Sequence, residues 1–138
     1  MPFLMDAAKA AGIIADVVVD IDVVKRSGVL AGAPALTLAQ QIDKMPNLKF
    51  RGILAYDGGV QHVAGYQKRK ETALKNFESI VKTYEMMKAA GLNLEIFSGG
   101  GTGTYDIMTG VPGFTDVQVG SYVFMDCQYI EIGGAQNE

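Results

Sequence analysis

The run Ser98-Gly99-Gly100-Gly101-Thr102-Gly103-Thr104 has the make-up of an anion-binding turn. Without a Cβ, the backbone at its glycines can approach a ligand closely, and successive N–H groups can point at one charged centre. Thr102 and Thr104 add two hydroxyls. A helix starting near Thr102 would add its positive end to the attraction. A tight turn without a ligand has the same composition, so the run alone leaves both readings open. Four further polar groups lie beyond apolar stretches: Lys25-Arg26-Ser27 after the first, Tyr56-Asp57 and Gln61-His62 after the second, and Ser121-Tyr122 after Gly120. If those stretches are parallel strands, the groups gather at the carboxyl ends of the sheet, where α/β proteins carry their ligands.

The elements that must position them are readable. Leu4 to Ala11 reads as the tail of a helix, stopped by Gly12. Val17 to Val23 is a β-branched strand with Asp20 and Asp22 on one face. Pro34 suits the first turn of a helix to about Lys44, with Leu38, Ile42 and Met45 on one stripe. Phe50 to Tyr56 is a second strand. A long helix follows from Tyr66 to Ala90, with Leu74, Phe77, Val81, Tyr84 and Met87 at helical spacing and Gly91 as its stop. Leu92 to Phe97 is a third strand, Thr102 to Met108 a short helix, and Val117 begins a fourth strand continuing through Val123-Phe124-Met125. Met86, Met87, Met108 and Met125 read as core filler.

The 138 residues suffice for one domain with a core, and no linker or low-complexity segment divides them. A net charge of −3 argues against a nucleic-acid footprint. Lys68-Arg69-Lys70, followed by Glu71, reads as the solvated start of the long helix, with an anion site as the alternative. Cys127 stands alone, which fits a reducing, cytoplasmic setting. No apolar run is long enough to span a membrane, and the start has no signal-peptide pattern.

Strands alternating with helices predict a parallel sheet, its strands buried on both faces. Two α/β architectures compete. A doubly wound sheet would be self-sufficient. A (β/α)8 barrel needs eight strands and typically about 250 residues, so this chain would supply about four β/α units. Barrels often hold phosphate on the loops after their last two strands and a short extra helix. The glycine run and short helix precede the final strand here, which favours the second half of a barrel.

The glycine run, the block Asp116 to Asp126, the block Arg51-Gly52-Ile53-Leu54-Ala55-Tyr56-Asp57-Gly58-Gly59-Val60-Gln61-His62, and Asp20-Ile21-Asp22 with Arg26-Ser27-Gly28-Val29 together resemble the D-threonine aldolase family, which includes D-serine dehydratase-like and D-3-hydroxyaspartate-acting enzymes. The resemblance runs from about Leu4 to Ile132. It implies a partial (β/α)8 barrel of the alanine racemase type, residues 1–138 forming one partial-barrel domain. It also implies a pyridoxal-phosphate-dependent lyase that cleaves D-3-hydroxy amino acids, D-threonine giving glycine and acetaldehyde.

By that resemblance, Gly100, Gly101, Thr102, Gly103 and Thr104 hold the cofactor phosphate. Arg26 stands near the pyridine ring, and Tyr56 and Tyr122 line the cofactor pocket. His62 takes the proton from the substrate hydroxyl, a task suited to an imidazole. Each has a plainer reading. Arg26 could pair with Asp20 or Asp22, Tyr56 and Tyr122 could be packing residues, and a lone histidine is often a surface residue. Asp57 stands where the family commonly has a histidine, and it either tunes His62 or marks a sister activity. The turn Val23-Val24-Lys25-Arg26 is one residue shorter than the family's glycine-containing turn.

The family's Schiff-base lysine lies upstream of every matched block, and its ligands for a divalent metal such as Mn2+ lie downstream of Glu138. The chain is therefore expected to be a fragment, inactive and poorly stable alone, of an enzyme that is a monomer or homodimer. Its partner would be a small D-amino acid, with no nucleic acid or membrane involved. A non-catalytic pyridoxal-phosphate carrier and a phosphate-binding module without that cofactor are the alternatives.

Overall fold

A computed structural model describes residues 2–26 and 28–135. Ser27, grouped above with Arg26, lies outside them. The elements run α1 (Pro2–Ala10), β1 (Ala15–Asp20), α2 (Ala33–Asp43), β2 (Leu48–Ala55), α3 (Tyr66–Ala89), β3 (Ile96–Gly99), α4 (Tyr105–Met108), β4 (Asp116–Val117), a 3-10 turn at Ser121–Val123 and α5 (Cys127–Glu131). The strands form one sheet in the order β1-β2-β3-β4, every pair parallel.

That order decides between the two architectures. Right-handed crossovers between sequential neighbouring strands put every helix on the same face. Val19, Ile53 and Phe97 face the helices at 2%, 0% and 0% exposure. They share one core with Ala35, Ala39 and Ile42 of α2 and with Phe77, Ile80 and Met87 of α3. Burying each of these large side chains contributes about 2 kcal/mol. Phe97 is also flanked by the rings of Tyr84 at 5.1 Å and Phe114 at 4.6 Å.

The other face differs from the expectation of strands buried on both sides. Asp20, Leu54, Ser98 and Asp116 lie across it in register, and Asp16 and Lys49 form a second pair nearer the strand starts. Polar partners satisfy much of this face. Arg51 bonds Asp16 at 2.8 Å and also pairs with Glu95, while the Ser98 hydroxyl donates to Asp116 at 2.5 Å. A one-sided helical cover is what a barrel segment requires, and a doubly wound sheet excludes it.

Arg51 is the extra residue of a bulge, since Val17 pairs with Phe50 but Val18 with Gly52. Gly52 takes φ +142, and a Cβ there would lie 1.9 Å from the Ile96 carbonyl oxygen. The strands can approach at this point only because that atom is missing.

Several boundaries differ from the sequence reading. The third strand starts at Ile96 rather than Leu92. The Leu92 N–H closes the end of α3 on the Met87 carbonyl, and Asn93 bonds Glu95, so this stretch is a helix exit. The fourth strand stops at Val117, and Val123, Phe124 and Met125 are 62%, 92% and 44% exposed. Their β propensity is overridden because β4 has β3 on one side and, among the described residues, no strand on the other. On α3 the buried stripe is Ala73, Phe77, Ile80, Tyr84 and Met87, while Leu74 is 40% exposed. Met87 and Met108 are core residues, but Met86 and Met125 are exposed. Arg69, expected in solvent, is 3% exposed, because it bonds four carbonyls, three of them in distant segments.

Two predictions follow from the sheet. Gly52→Ala should lower stability by about 3 kcal/mol, combining strain and overlap, as read by urea denaturation. The Asn93 amide, ahead of Arg51, holds the Glu95 carboxyl below its ordinary value of 4.5. Its contribution is thus full above that value and fades as pH falls through the lowered one. Glu95→Gln should therefore shrink the loss of stability between neutral and acid pH, and an undiminished loss would contradict the clamp.

Candidate functional site

The parallel register brings the C-terminal ends of the strands to one rim. Arg26 follows β1, Tyr56 follows β2 and the glycine run follows β3. The Asp22 carboxylate accepts from the Arg26 N–H at 2.6 Å and folds the first turn. Lys25 there takes φ +63, so this turn uses a left-handed lysine. Arg26 Nη2 grips both Asp20 oxygens at 3.0 and 3.1 Å, and Nε reaches the Tyr56 carbonyl at 3.4 Å. Its guanidinium lies 5.8 Å from the Tyr56 ring centre. The plainer reading of Arg26 is thus realised: it pairs with Asp20, and it also leans on Tyr56. Its Nη1 has no partner among the described residues.

Tyr56 is the next member of the row. A Cβ on Gly101 would stand 3.2 Å from its hydroxyl, so the phenol abuts the glycine loop. Burial, with Tyr129 nearby, raises its pKa above 10.0, against a smaller lowering by Arg26. Its hydroxyl therefore stays protonated at neutral pH and remains a donor.

The glycine run folds around a buried amide. Gln61, 1% exposed, donates through Nε2 to the Asp57 carbonyl at 2.9 Å and the Thr104 hydroxyl at 3.1 Å. Its Oε1 accepts from the Gly103 N–H at 3.1 Å. The Thr104 hydroxyl, fully buried, accepts from the Gly101 N–H at 3.1 Å. A Cβ on Gly103 would fall 2.0 Å from the Gln61 carbonyl oxygen. Gly101, Gly103 and Thr104 thus shape the loop with groups that the sequence reading assigned to a ligand. The N–H groups of Thr102, Tyr105 and Asp106 have no protein partner among the described residues, and they cluster at the start of α4.

Cavities flank this point on both sides. One, of about 320 Å3, is bordered by Thr102, Gly103, Tyr105, Asp106, Arg69 and Tyr129. The other, of about 340 Å3, is bordered by Thr102, Tyr105, Val117, Val119, Tyr122 and Met125. Tyr122 touches the loop through its backbone, donating its N–H to the Thr102 hydroxyl at 3.2 Å, while the residue is 58% exposed.

His62 stands further out. It is exposed, its ring lies 4.5 Å from that of Tyr129, and it borders a cavity with Ala64, Gln128, Glu131 and Ile132. Among the described residues, no hydrogen bond or ring contact joins it to Arg26, Tyr56 or the glycine loop. Asp57 does not touch it either. That carboxylate is buried, accepting from the N–H groups of Gly59 and Val60 and from Asn76. Sequence reasoning passed over Tyr129 and placed Arg69 in solvent. Tyr129 lies on a helix too short to show periodicity. No group of three or more His, Cys, Asp or Glu converges among the described residues, and no helix there is long and apolar enough to cross a membrane.

With this geometry in view, the comparisons are specific. Residues 3–128 match the model of the alanine racemase N-terminal domain. The chain belongs to this family, in its D-threonine aldolase-like, fold-type III branch. It is 37% identical over 122 residues to the D-threonine aldolase of Arthrobacter sp, covering 86% of this chain and 32% of that protein. It is 33% identical over 136 residues to the 3-hydroxy-D-aspartate aldolase of Paracoccus denitrificans (strain Pd 1222), covering 98% and 35%. The crystal structure of D-threonine aldolase from Filomicrobium marinum superposes with a TM-score of 0.87 at 35% identity, covering 98% of this chain and 37% of that one. The chain thus spans about a third of the length of these relatives, and its fold is part of an alanine racemase-type barrel.

The loop lock yields its own test. Gln61→Leu leaves the Gly103 N–H and the Asp57 carbonyl without their buried partner. The expected loss is about 3 kcal/mol in denaturant titration.

Proposed function

We propose that these residues form part of the cofactor and substrate site of a pyridoxal-phosphate-dependent lyase acting on D-3-hydroxy amino acids, cleaving D-threonine or a 3-hydroxyaspartate by retro-aldol chemistry. One observation carries the reading. Unclaimed donors, the Thr102, Tyr105 and Asp106 N–H groups and Arg26 Nη1, sit at one rim with Tyr56 between them, in a chain whose relatives at over 30% identity are named aldolases.

The residues fit such a group. A phosphate needs several convergent N–H donors, and the start of α4 offers three that the protein leaves unused. When bound, pyridoxal phosphate supplies an electron sink for the bond that breaks. Arg26, held by Asp20 and permanently charged, would donate to the ring nitrogen. Tyr56 would border the ring and offer its neutral hydroxyl. Gly100, Gly101, Gly103 and Thr104 would shape the cradle, and Thr102 would line it.

His62 is the candidate to take the proton from the substrate β-hydroxyl. Its exposure and its ring contact with Tyr129 support a base that acts from outside the cofactor cradle. A divalent metal bound by groups beyond these residues would sharpen that hydroxyl's acidity. Tyr122, exposed beside Thr102, is a candidate pocket wall.

Pyridoxal phosphate should bind the chain, and inorganic phosphate should compete. Absence of both effects in equilibrium dialysis would remove the cofactor reading. In the complete enzyme, His62→Ala should keep the cofactor's absorbance near its wild-type intensity. Retro-aldol turnover should fall by roughly two orders of magnitude or more. Unchanged turnover would remove the role given to His62.

A further inference from the structure

Arg69 is the fourth residue of α3 and is 3% exposed, yet no carboxylate lies within ion-pair reach of it among the described residues. An isolated buried charge is strongly unfavourable unless hydrogen bonds replace its water. Four carbonyls do so. Nε donates to Gly103 at 2.6 Å, Nη1 to Val63 at 2.9 Å and Ile132 at 3.0 Å, and Nη2 to Gly133 at 2.6 Å. These dipoles solvate the guanidinium without cancelling its charge.

The Gly103 contact has a geometric consequence. Its N–H is held by Gln61 Oε1 at 3.1 Å and its carbonyl by Arg69, so both ends of the residue are clamped. The carbonyl shares a peptide plane with the Thr104 N–H, which donates to the Gly101 carbonyl at 3.0 Å. With the Gly103 N–H and carbonyl both held, two successive peptide planes are fixed, and these adjoin the planes that carry the Thr102 and Tyr105 N–H groups. The guanidinium also borders the cavity shared with Thr102, Tyr105 and Asp106. Among the described residues that border this cavity, Asp106 is the one acidic side chain and opposes the attraction of an anion.

We propose that Arg69 is a positioning residue for anion binding at the glycine loop. It sets the loop through the Gly103 carbonyl and supplies uncompensated positive charge behind it, without touching the anion. The proposal rests on reading the loop as a phosphate site. It explains why a guanidinium is needed where a lysine, with one donor centre, could not reach carbonyls in three segments.

The test compares Arg69→Lys, which keeps the charge but loses the fork, with Arg69→Gln, which loses both. Lys68→Gln, an exposed neighbour, is the control. Far-UV circular dichroism reports folding, hydrogen exchange follows the Thr104 N–H without ligand, and titration with inorganic phosphate gives affinity. Both Arg69 variants should exchange roughly tenfold faster at Thr104 and bind phosphate about tenfold more weakly or worse, Arg69→Gln the more affected. The control should change neither. Folded variants with wild-type exchange and wild-type affinity would overturn the role of Arg69 alone. A wild-type chain that binds no phosphate would overturn the phosphate reading itself.

Discussion

The Gln61 carboxamide, buried between two loops, is the interaction on which the site depends. It joins the segment after β2 to the segment after β3 by bonds to Asp57, Gly103 and Thr104. A glycine-rich loop has the largest conformational entropy to lose on ordering, so composition alone cannot hold its shape. Buried polar groups that are fully satisfied can, because any other arrangement strands a donor in a low-dielectric interior. The loop's rigidity therefore comes from side chains on neighbouring segments, and Gly101 and Gly103 are there because Gln61 and Tyr56 leave no room for a Cβ.

This lock divides the loop's donors into two sets. Gly101, Gly103 and Thr104 N–H groups face inward and build the turn. The N–H groups of Thr102, Tyr105 and Asp106 have no protein partner among the described residues. Pre-organisation of this kind lowers the entropy lost on binding, since the protein has already fixed the donors. Arg26 is pre-organised in the same way by Asp20 and Asp22, at the end of β1, two strands away. The sheet contributes the spacing between these stations through its register and the bulge at Arg51.

Much of this was legible in the sequence. Strand and helix alternation follows from residue periodicity, and Gly91 does end its helix with a positive φ of 75. The glycine run stands at a strand end as expected. What stayed hidden was non-local. Arg69 sits between two lysines and before a glutamate, which is the local pattern of a solvated face. Its partners are backbone carbonyls up to 64 positions away, and these leave no mark on composition. The short fourth strand was hidden for a related reason: Val119, Tyr122, Val123 and Phe124 have strand-forming side chains, but a strand needs a neighbour on which to pair. The helix-side choice that separates barrel from doubly wound sheet also emerges only from strand order.

The central claim is that a phosphate sits on the N–H groups that the loop leaves unused. Amide 1H–15N spectra recorded during titration with inorganic phosphate, then with pyridoxal phosphate, test it directly. The account predicts the largest shifts at Thr102, Tyr105 and Asp106, with Gly101 and Gly103 nearly still because Thr104 and Gln61 hold them. Saturating ligand that leaves Thr102, Tyr105 and Asp106 unmoved, or that shifts Gly101 and Gly103 instead, would contradict it.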